Sequence, residues 1–152
     1  MVFSESWLAE HEAKMAGIKG VRPLPNTIRF AIPLLLLLPN RTNGRSWHQY
    51  HRQKTRLRKL MDAEVGRWSG HAPMNLARVT ISRFGSGIEP DPDNLMASCK
   101  PLIDLLLVKS RAHPHSFGLI VDDAPQFLLP VAFFVQVDHK SEERTEVLIE
   151  RL

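Results

Sequence analysis

Cysteine and long apolar runs are scarce in this chain of 152 residues. The single cysteine, Cys99, excludes an internal disulfide framework and cysteine-rich zinc modules, and it makes a reducing cytoplasm the expected compartment. The most apolar segment, residues 30–39, is far shorter than the roughly 20 residues that span a bilayer, and it contains Pro33. It also lies too far into the chain to be a secretory signal. We therefore expect a cytoplasmic protein with no membrane partner.

Acidic residues are missing from one long segment, since none occurs between Glu12 and Asp62, while the whole chain has a formal net charge of +4. A basic helical segment that also carries Trp47 and Tyr50 can neutralise phosphates and offer aromatic faces to bases. A solvated helix face with two core aromatics explains the same pattern equally well. The candidate DNA-binding residues on this segment are Arg41, Arg45, Arg52, Lys54, Arg56 and Lys59.

The length of the chain and its 43% apolar content predict one globular domain with a substantial core. Residues 1–26 are predicted to form an N-terminal extension, which consists of a short amphipathic helix at 4–15 and a linker of Gly, Pro and basic residues. Residues 27–152 are predicted to form the domain itself.

Strand and helix patterns alternate along this domain. Residues 27–38 predict a strand buried on both faces, although Pro33 favours an edge or a bulge. The alternation from Ala77 predicts a second strand, and residues up to about 109 predict a helix that is kinked at Pro101 or becomes regular only there. A short apolar strand should precede Asp122, and residues 131–137 and 145–152 predict a closing β-hairpin. The fold class is therefore α/β (α+β), with helices packed on a mixed sheet.

Carboxylates gather at two places in this basic chain. Asp91 and Asp93 alternate with prolines that keep the backbone out of regular structure, and Asp122 and Asp123 follow an apolar strand. Two or three such carboxylates, with phosphate oxygens, suffice to bind Mg²⁺. A calcium-binding EF-hand loop is excluded, because the fifth and sixth positions counted from Asp91 are apolar rather than an oxygen ligand and Gly. Helix capping is the alternative role of Asp93 and Asn94.

Lys100 and Asp104 share a helix face with this acidic stretch. A lysine at that position can stabilise the extra negative charge of a phosphoryl transition state. A surface lysine that simply pairs with Asp104 explains the spacing equally well.

The motif "DPDN", a Lys with an Asp four residues later, and an Asp-Asp pair after an apolar strand together resemble the RusA family of Holliday junction resolvases, which is common in phages and prophages. The resemblance extends from residue 27 to the end of the chain. It implies a small homodimeric α/β domain in the cytoplasm of a bacterial host, which resolves four-way DNA by paired symmetric nicks in recombination and repair. The cofactor implied is Mg²⁺, with Mn²⁺ a plausible substitute.

Carried over residue by residue, the resemblance makes Asp91, Asp93 and Asp123 the metal ligands, Asp122 a supporting residue, and Lys100 the catalytic lysine. In the family pattern the lysine follows the Asp-Asn pair by three residues, where this chain has Ala97.

Several other functions remain open at this point. The chain could cut flaps or forks in phage replication or packaging, or it could be a junction-binding dimer that is catalytically impaired by the displaced lysine. A nucleophilic Cys99 assisted by His113 or His115, and a transition-metal site at those two histidines, are further but weaker alternatives.

Overall fold

The computed structural model describes residues 22–39 and 47–152, which form a four-stranded mixed sheet with helices on one face. The predicted helix at 4–15, and the predicted DNA contacts Arg41 and Arg45, lie outside these residues. In chain order, the elements are β1 (Thr27–Ile32), α1 (Trp47–Val65), β2 (Ala77–Gly85), α2 (Pro92–Ser98), α3 (Lys100–Leu106), β3 (Leu128–Gln136) and β4 (Arg144–Arg151), with short 3-10 helices at Gly66–Trp68 and Lys140–Glu142.

The core lies between the sheet and the helices. In β1, β2 and β4 the side chains of one face are buried, and they pack with the apolar faces of α1 and α3, whereas in β3 only Leu128 is buried. The predicted α+β class, with helices packed on a mixed sheet, is confirmed. The core residues from the sheet include Ile28, Ile32, Val79, Ile81, Val147 and Ile149, and those from the helices include Leu57, Met61, Val65, Leu102 and Leu106.

The first strand is shorter than predicted and is buried on one face only. β1 ends at Ile32, directly before Pro33, because proline has no N–H to donate to a ladder. Its side chains alternate between exposed and buried. The prediction of a strand buried on both faces was therefore wrong, whereas the edge position that Pro33 favours is confirmed, since β1 is an outer strand of the sheet.

The predicted closing hairpin was also wrong. The sheet order is β1-β4-β2-β3, so β2 lies between the two strands that were expected to pair. β3 runs parallel to β2, and β4 runs antiparallel to both β2 and β1. The connection from β3 to β4 crosses the end of β2, where Val137 N donates to Gly85 O and Ser86 N donates to Glu143 Oε2. Sequence proximity favours a hairpin, but these contacts hold the two strands apart.

The helix after the acidic stretch is broken into α2 and α3 at Cys99. Pro101 occupies the first turn of α3, where its missing N–H loses no helical hydrogen bond. Of the two predicted arrangements, a regular helix that starts near Pro101 is therefore the one observed. The apolar stripe of this region is buried, as predicted.

The short apolar segment before the aspartates forms isolated bridges rather than a strand. Ile120 pairs with both Met74 and Leu107, and Val121 N donates to Met74 O. These contacts fix the point at which the chain leaves the core and enters the Asp122–Asp123 turn.

Residues 22–26, the end of the predicted extension, lie against the domain. Leu24 is buried in the core, Arg22 O accepts from Ala72 N, and Asn26 O accepts from Arg151 N. Within the part of the chain that the structure describes, no helix is long and apolar enough to cross a membrane.

Candidate functional site

Asp91 begins α2 as its capping residue. Its backbone is extended, Oδ1 accepts from the backbone N–H of Asn94 at 2.9 Å, and Oδ2 accepts from the Asn94 side-chain amide. The hydrogen bond from the Asn94 backbone is the largest cause that lowers the pKa of Asp91. The sequence had left capping open as an alternative role of Asp93 and Asn94, whereas the structure gives this role to Asp91. Pro92 at the first helical position was the signal that identifies the residue before it as the cap.

Asp93 lies in the first turn of α2 and is exposed. A carboxylate at this position is stabilised by the partial positive charge of the helix N-terminus. The Asp91–Pro92–Asp93 segment therefore places two carboxylates at one helix end, and both side chains are accessible to solvent.

Lys100 connects two segments of the candidate site. Its Nζ lies 2.8 Å from Asp104 Oδ1 on the next turn of α3 and 2.5 Å from Asp123 Oδ2 in the turn after Ile120. The hydrogen bond to Asp104, followed by that to Asp123, raises the pKa of Lys100 to about 12. Asp104 is only 8% exposed, so Lys100 neutralises a carboxylate that would otherwise be buried without a counter-charge.

The Asp122–Asp123 turn is organised by its own side chains. Asp122 Oδ1 accepts from the backbone N–H of Asp123 at 2.8 Å, and the hydrogen bond from Lys100 is the main cause that lowers the pKa of Asp123. Asp122 therefore supports the position of Asp123. The contact between Lys100 and Asp123 joins residues that are 23 positions apart.

The carboxylates suit a hard cation by their chemistry, because Mg²⁺ prefers oxygen ligands. Their arrangement is less complete: among residues 22–39 and 47–152, no three His, Cys, Asp or Glu side chains are grouped closely enough to hold a metal ion. In addition, Lys100 occupies Oδ2 of Asp123, and Asn94 engages both oxygens of Asp91. A metal ion that binds through these oxygens would compete with Asn94 and Lys100 for them.

The structure disfavours a nucleophilic cysteine. Cys99 is 1% exposed, its Sγ donates to Leu95 O at 3.4 Å, and burial raises the pKa of its thiol to about 11. A reactive cysteine requires a lowered pKa and access to substrate. His113 and His115 lie in the loop after α3, where His115 is exposed and His113 is half-buried.

The basic residues predicted to contact DNA divide between two surfaces of α1. Arg52, Arg56 and Lys59 line one open depression of about 450 Å³, whereas Lys54 lies beside Asp104 and the His113–His115 loop. α1 therefore presents three of the predicted cations together.

No protein-family model matches the chain, and no curated protein is significantly similar to it.

Proposed function

We propose that the protein is a magnesium-dependent endonuclease that cuts branched DNA, with the four-way junction as its preferred substrate. The observation that carries the proposal is the contact of Lys100 with Asp123. Lys100 begins α3, directly after the short helix α2 that starts at Asp91 and Asp93. A cation and several carboxylates drawn from separate segments are the components that phosphodiester hydrolysis requires.

Asp91, Asp93 and Asp123 would hold the magnesium ion, with Asp122 fixing the turn that carries Asp123. When bound, Mg²⁺ offsets the charge of the scissile phosphate and favours attack by water. Asp93 is exposed in the first turn of α2, next to the capping residue Asp91, where its carboxylate is open to a cation from solvent.

Lys100 has a role of its own in this proposal. Its charge is fixed beside Asp123, and its raised pKa, about 12, keeps it protonated throughout the neutral range. An ammonium group held in position can stabilise negative charge that develops on a phosphate oxygen. Asp104 acts as a positioning residue, because it holds Lys100 through their ion pair.

A second copy of the chain would supply the second nick, since a four-way junction has two-fold symmetry. β3 offers a surface for this copy. It has no strand beyond it in the described part of the sheet, and three of its apolar side chains are exposed: Leu129 by 43%, Phe133 by 52% and Val135 by 38%. Exposed apolar groups beside an unpaired strand edge are typical of an association surface.

Backbone geometry supports the same surface. Ala77 N donates to Phe127 O, and Val137 N donates to Gly85 O. The backbone N–H and C=O groups of the odd-numbered residues of β3 therefore point towards β2. The backbone groups of Ala132 and Phe134 therefore face the free edge. We expect a Phe133→Asp variant to be monomeric by light scattering and to make single rather than paired nicks. Ile88→Asp, a matched change at a side chain that is 93% exposed, should remain dimeric.

The main experiment incubates the protein with a labelled four-way junction in Mg²⁺, with flap, fork and plain duplex substrates alongside. Paired nicks across the junction are expected, at a rate well above that on duplex. Preferential cleavage of flaps or forks would redirect the assignment to another branched substrate, and no cleavage of any of them would contradict it.

A junction-binding dimer without nuclease activity is the second candidate. Two observations favour it: Lys100 is already neutralised by two carboxylates, and no three-ligand metal group exists within the described residues. It predicts junction binding with no cleavage in either Mg²⁺ or Mn²⁺, so the same assay separates the two candidates.

A further inference from the structure

A groove separates α1 from the loop that follows α3. It encloses about 340 Å³, and its walls carry Arg58 and Lys59 from the helix and Lys109 and His115 from the loop. Only Lys59 of these four residues was among the DNA contacts predicted from the sequence. The loop wall was missed because its basic residues are separated by Pro, Ala and Ser, with no pattern that indicates a shared face.

The groove is lined mainly by basic side chains. Neither Arg58, Lys59 nor Lys109 forms an ion pair with a carboxylate of the described residues. Asp62 is the one acidic side chain that lines the groove. Its Oδ1 lies against Gly66, 2.5 Å from the position that a Cβ on this glycine would occupy. Unpaired cations that line one concave surface attract a polyanion.

Internal hydrogen bonds hold the loop wall in place. Ser110 and His113 exchange backbone hydrogen bonds at 3.2 Å, and Ser116 Oγ donates to Asp104 O at 2.6 Å. Phe117 is buried, and its N–H donates to Leu105 O at 2.7 Å. A wall that is already ordered loses little conformational freedom when a ligand binds.

The groove is linked to Asp104 through its loop wall, at Pro114, His115 and Ser116. A smaller cavity beside it is lined by Lys54, His113 and Asp104, and the carboxylate of Asp104 forms the ion pair with Lys100. The residues that line the two cavities therefore connect the basic groove with the ion pair of Asp104 and Lys100.

We propose that this groove binds the sugar-phosphate backbone of a nucleic acid and guides it towards Lys100, with Lys59 and Lys109 each contacting phosphate from opposite walls. The inference rests on the proposed function, because it takes the ligand to be the DNA that the active site cuts. It adds a binding surface that includes the loop after α3.

The test measures binding of a fluorescent four-way junction in EDTA, so that cleavage plays no part, over a series of salt concentrations. Each phosphate contact that is lost should reduce the slope of log K against log salt by about 0.9. We expect Lys59→Gln and Lys109→Gln each to lose about one unit of slope and several-fold in affinity at low salt, and the double variant to lose about two units. Thermal unfolding should confirm that the folds are intact.

Lys140→Gln is the matched control, since it removes one exposed lysine outside the groove. Its salt slope should equal that of the wild type. An equal loss in Lys140→Gln and Lys109→Gln, or an unchanged slope in both groove variants, would overturn the groove proposal. The groove proposal would also be overturned if pyrophosphate bound saturably and competed with DNA as effectively per phosphate group. That result would identify a small-anion site.

The two proposals fail in different ways. Wild-type protein that neither binds nor cuts the junction contradicts the proposed function. Wild-type protein that binds and cuts it, while the groove variants bind with unchanged salt slope, contradicts the groove alone.

Discussion

Charged side chains are paired differently in the acidic cluster, which consists of Asp91, Asp93, Lys100, Asp104, Asp122 and Asp123, and in the basic groove between α1 and the loop after α3. In the cluster, Lys100 is held by two carboxylates at 2.8 and 2.5 Å. In the groove, Lys59 and Lys109 have no carboxylate partner among residues 22–39 and 47–152. A cation that is already paired gains little from contact with a phosphate in the ground state, whereas an unpaired cation can replace the counterions of DNA. In the proposed function, the cluster would carry the chemistry and the groove would carry the affinity.

The Asp93→Asn variant tests most directly whether cleavage depends on the acidic cluster and binding depends on the groove. Loss of a metal ligand removes several kcal/mol of transition-state stabilisation, so we expect junction cleavage to fall on the order of 10³-fold. Junction binding in EDTA should stay within about twofold, because the groove is untouched. Single-turnover cleavage and fluorescence anisotropy measure the two quantities. Full cleavage activity in this variant would sink the assignment of Asp93 as a ligand.

The next largest effect is expected for Lys100→Met. Removal of one positioned charge from an active site typically costs about 10²- to 10³-fold in rate. The variant also leaves the nearly buried Asp104 without its counter-charge, so the free energy of unfolding should fall as well.

A second variant separates these two effects of Lys100. Lys100→Met combined with Asp104→Asn should recover stability in urea unfolding without recovering cleavage. If the double variant recovers both stability and cleavage, Lys100 has a structural role only, and the acidic cluster loses its proposed catalytic lysine.

The pair of Lys100 and Asp123 should give a smaller, pH-dependent contribution to stability. Since the pKa of Asp123 is lowered from 3.8, its contribution is present above that pH and is lost as the pH falls through the lowered value. Since the pKa of Lys100 is raised from 10.5 to about 12, its contribution is present below 10.5 and is lost as the pH rises through 12.

Comparison of wild type with Asp123→Asn by urea unfolding measures this contribution. The side chains of Lys100 and Asp123 are 56% and 38% exposed, so solvent screens their interaction, and the difference should stay below about 1 kcal/mol. It should be constant through the neutral range and shrink in acid. A difference that grows as the pH falls below 3.8 would contradict the sign of this prediction.

The smallest effect concerns the one carboxylate that lines the groove. Asp62→Asn should tighten junction binding by about twofold, because it removes an exposed charge that repels phosphate. Glu64→Gln makes a similar change on the same helix outside the groove, and anisotropy should show a smaller effect for it. Equal tightening in both variants would show that net charge, rather than the groove, determines affinity.

Local patterns in the sequence predicted part of the fold. The alternation from Ala77 correctly identified β2, since a strand with one buried face must alternate. Pro33 correctly indicated an edge strand. The partner of β3 was not predictable in this way, because the nearest strand in sequence is β4, and the parallel neighbour β2 is separated from β3 by two helices.

The candidate site was likewise predictable only in part from the sequence. The sequence identified Asp91, Asp93, Lys100 and Asp123 as candidates, but it left open whether Lys100 pairs with Asp104 or lies in a functional cluster. The structure shows that Lys100 contacts Asp104 and Asp123 together. The metal-ligand roles of the carboxylates stay predictions.

The sequence by itself determined the chemistry that is available: a basic chain, two carboxylate pairs, two lysines between them and a single cysteine. Residue types and short spacings are sufficient for that, because they act within one or two helical turns. Only the tertiary structure decided that Lys100 meets Asp123, that Cys99 is buried, and that the loop carrying Lys109 faces α1. Such contacts join distant segments, and packing of the whole core against the sheet sets them.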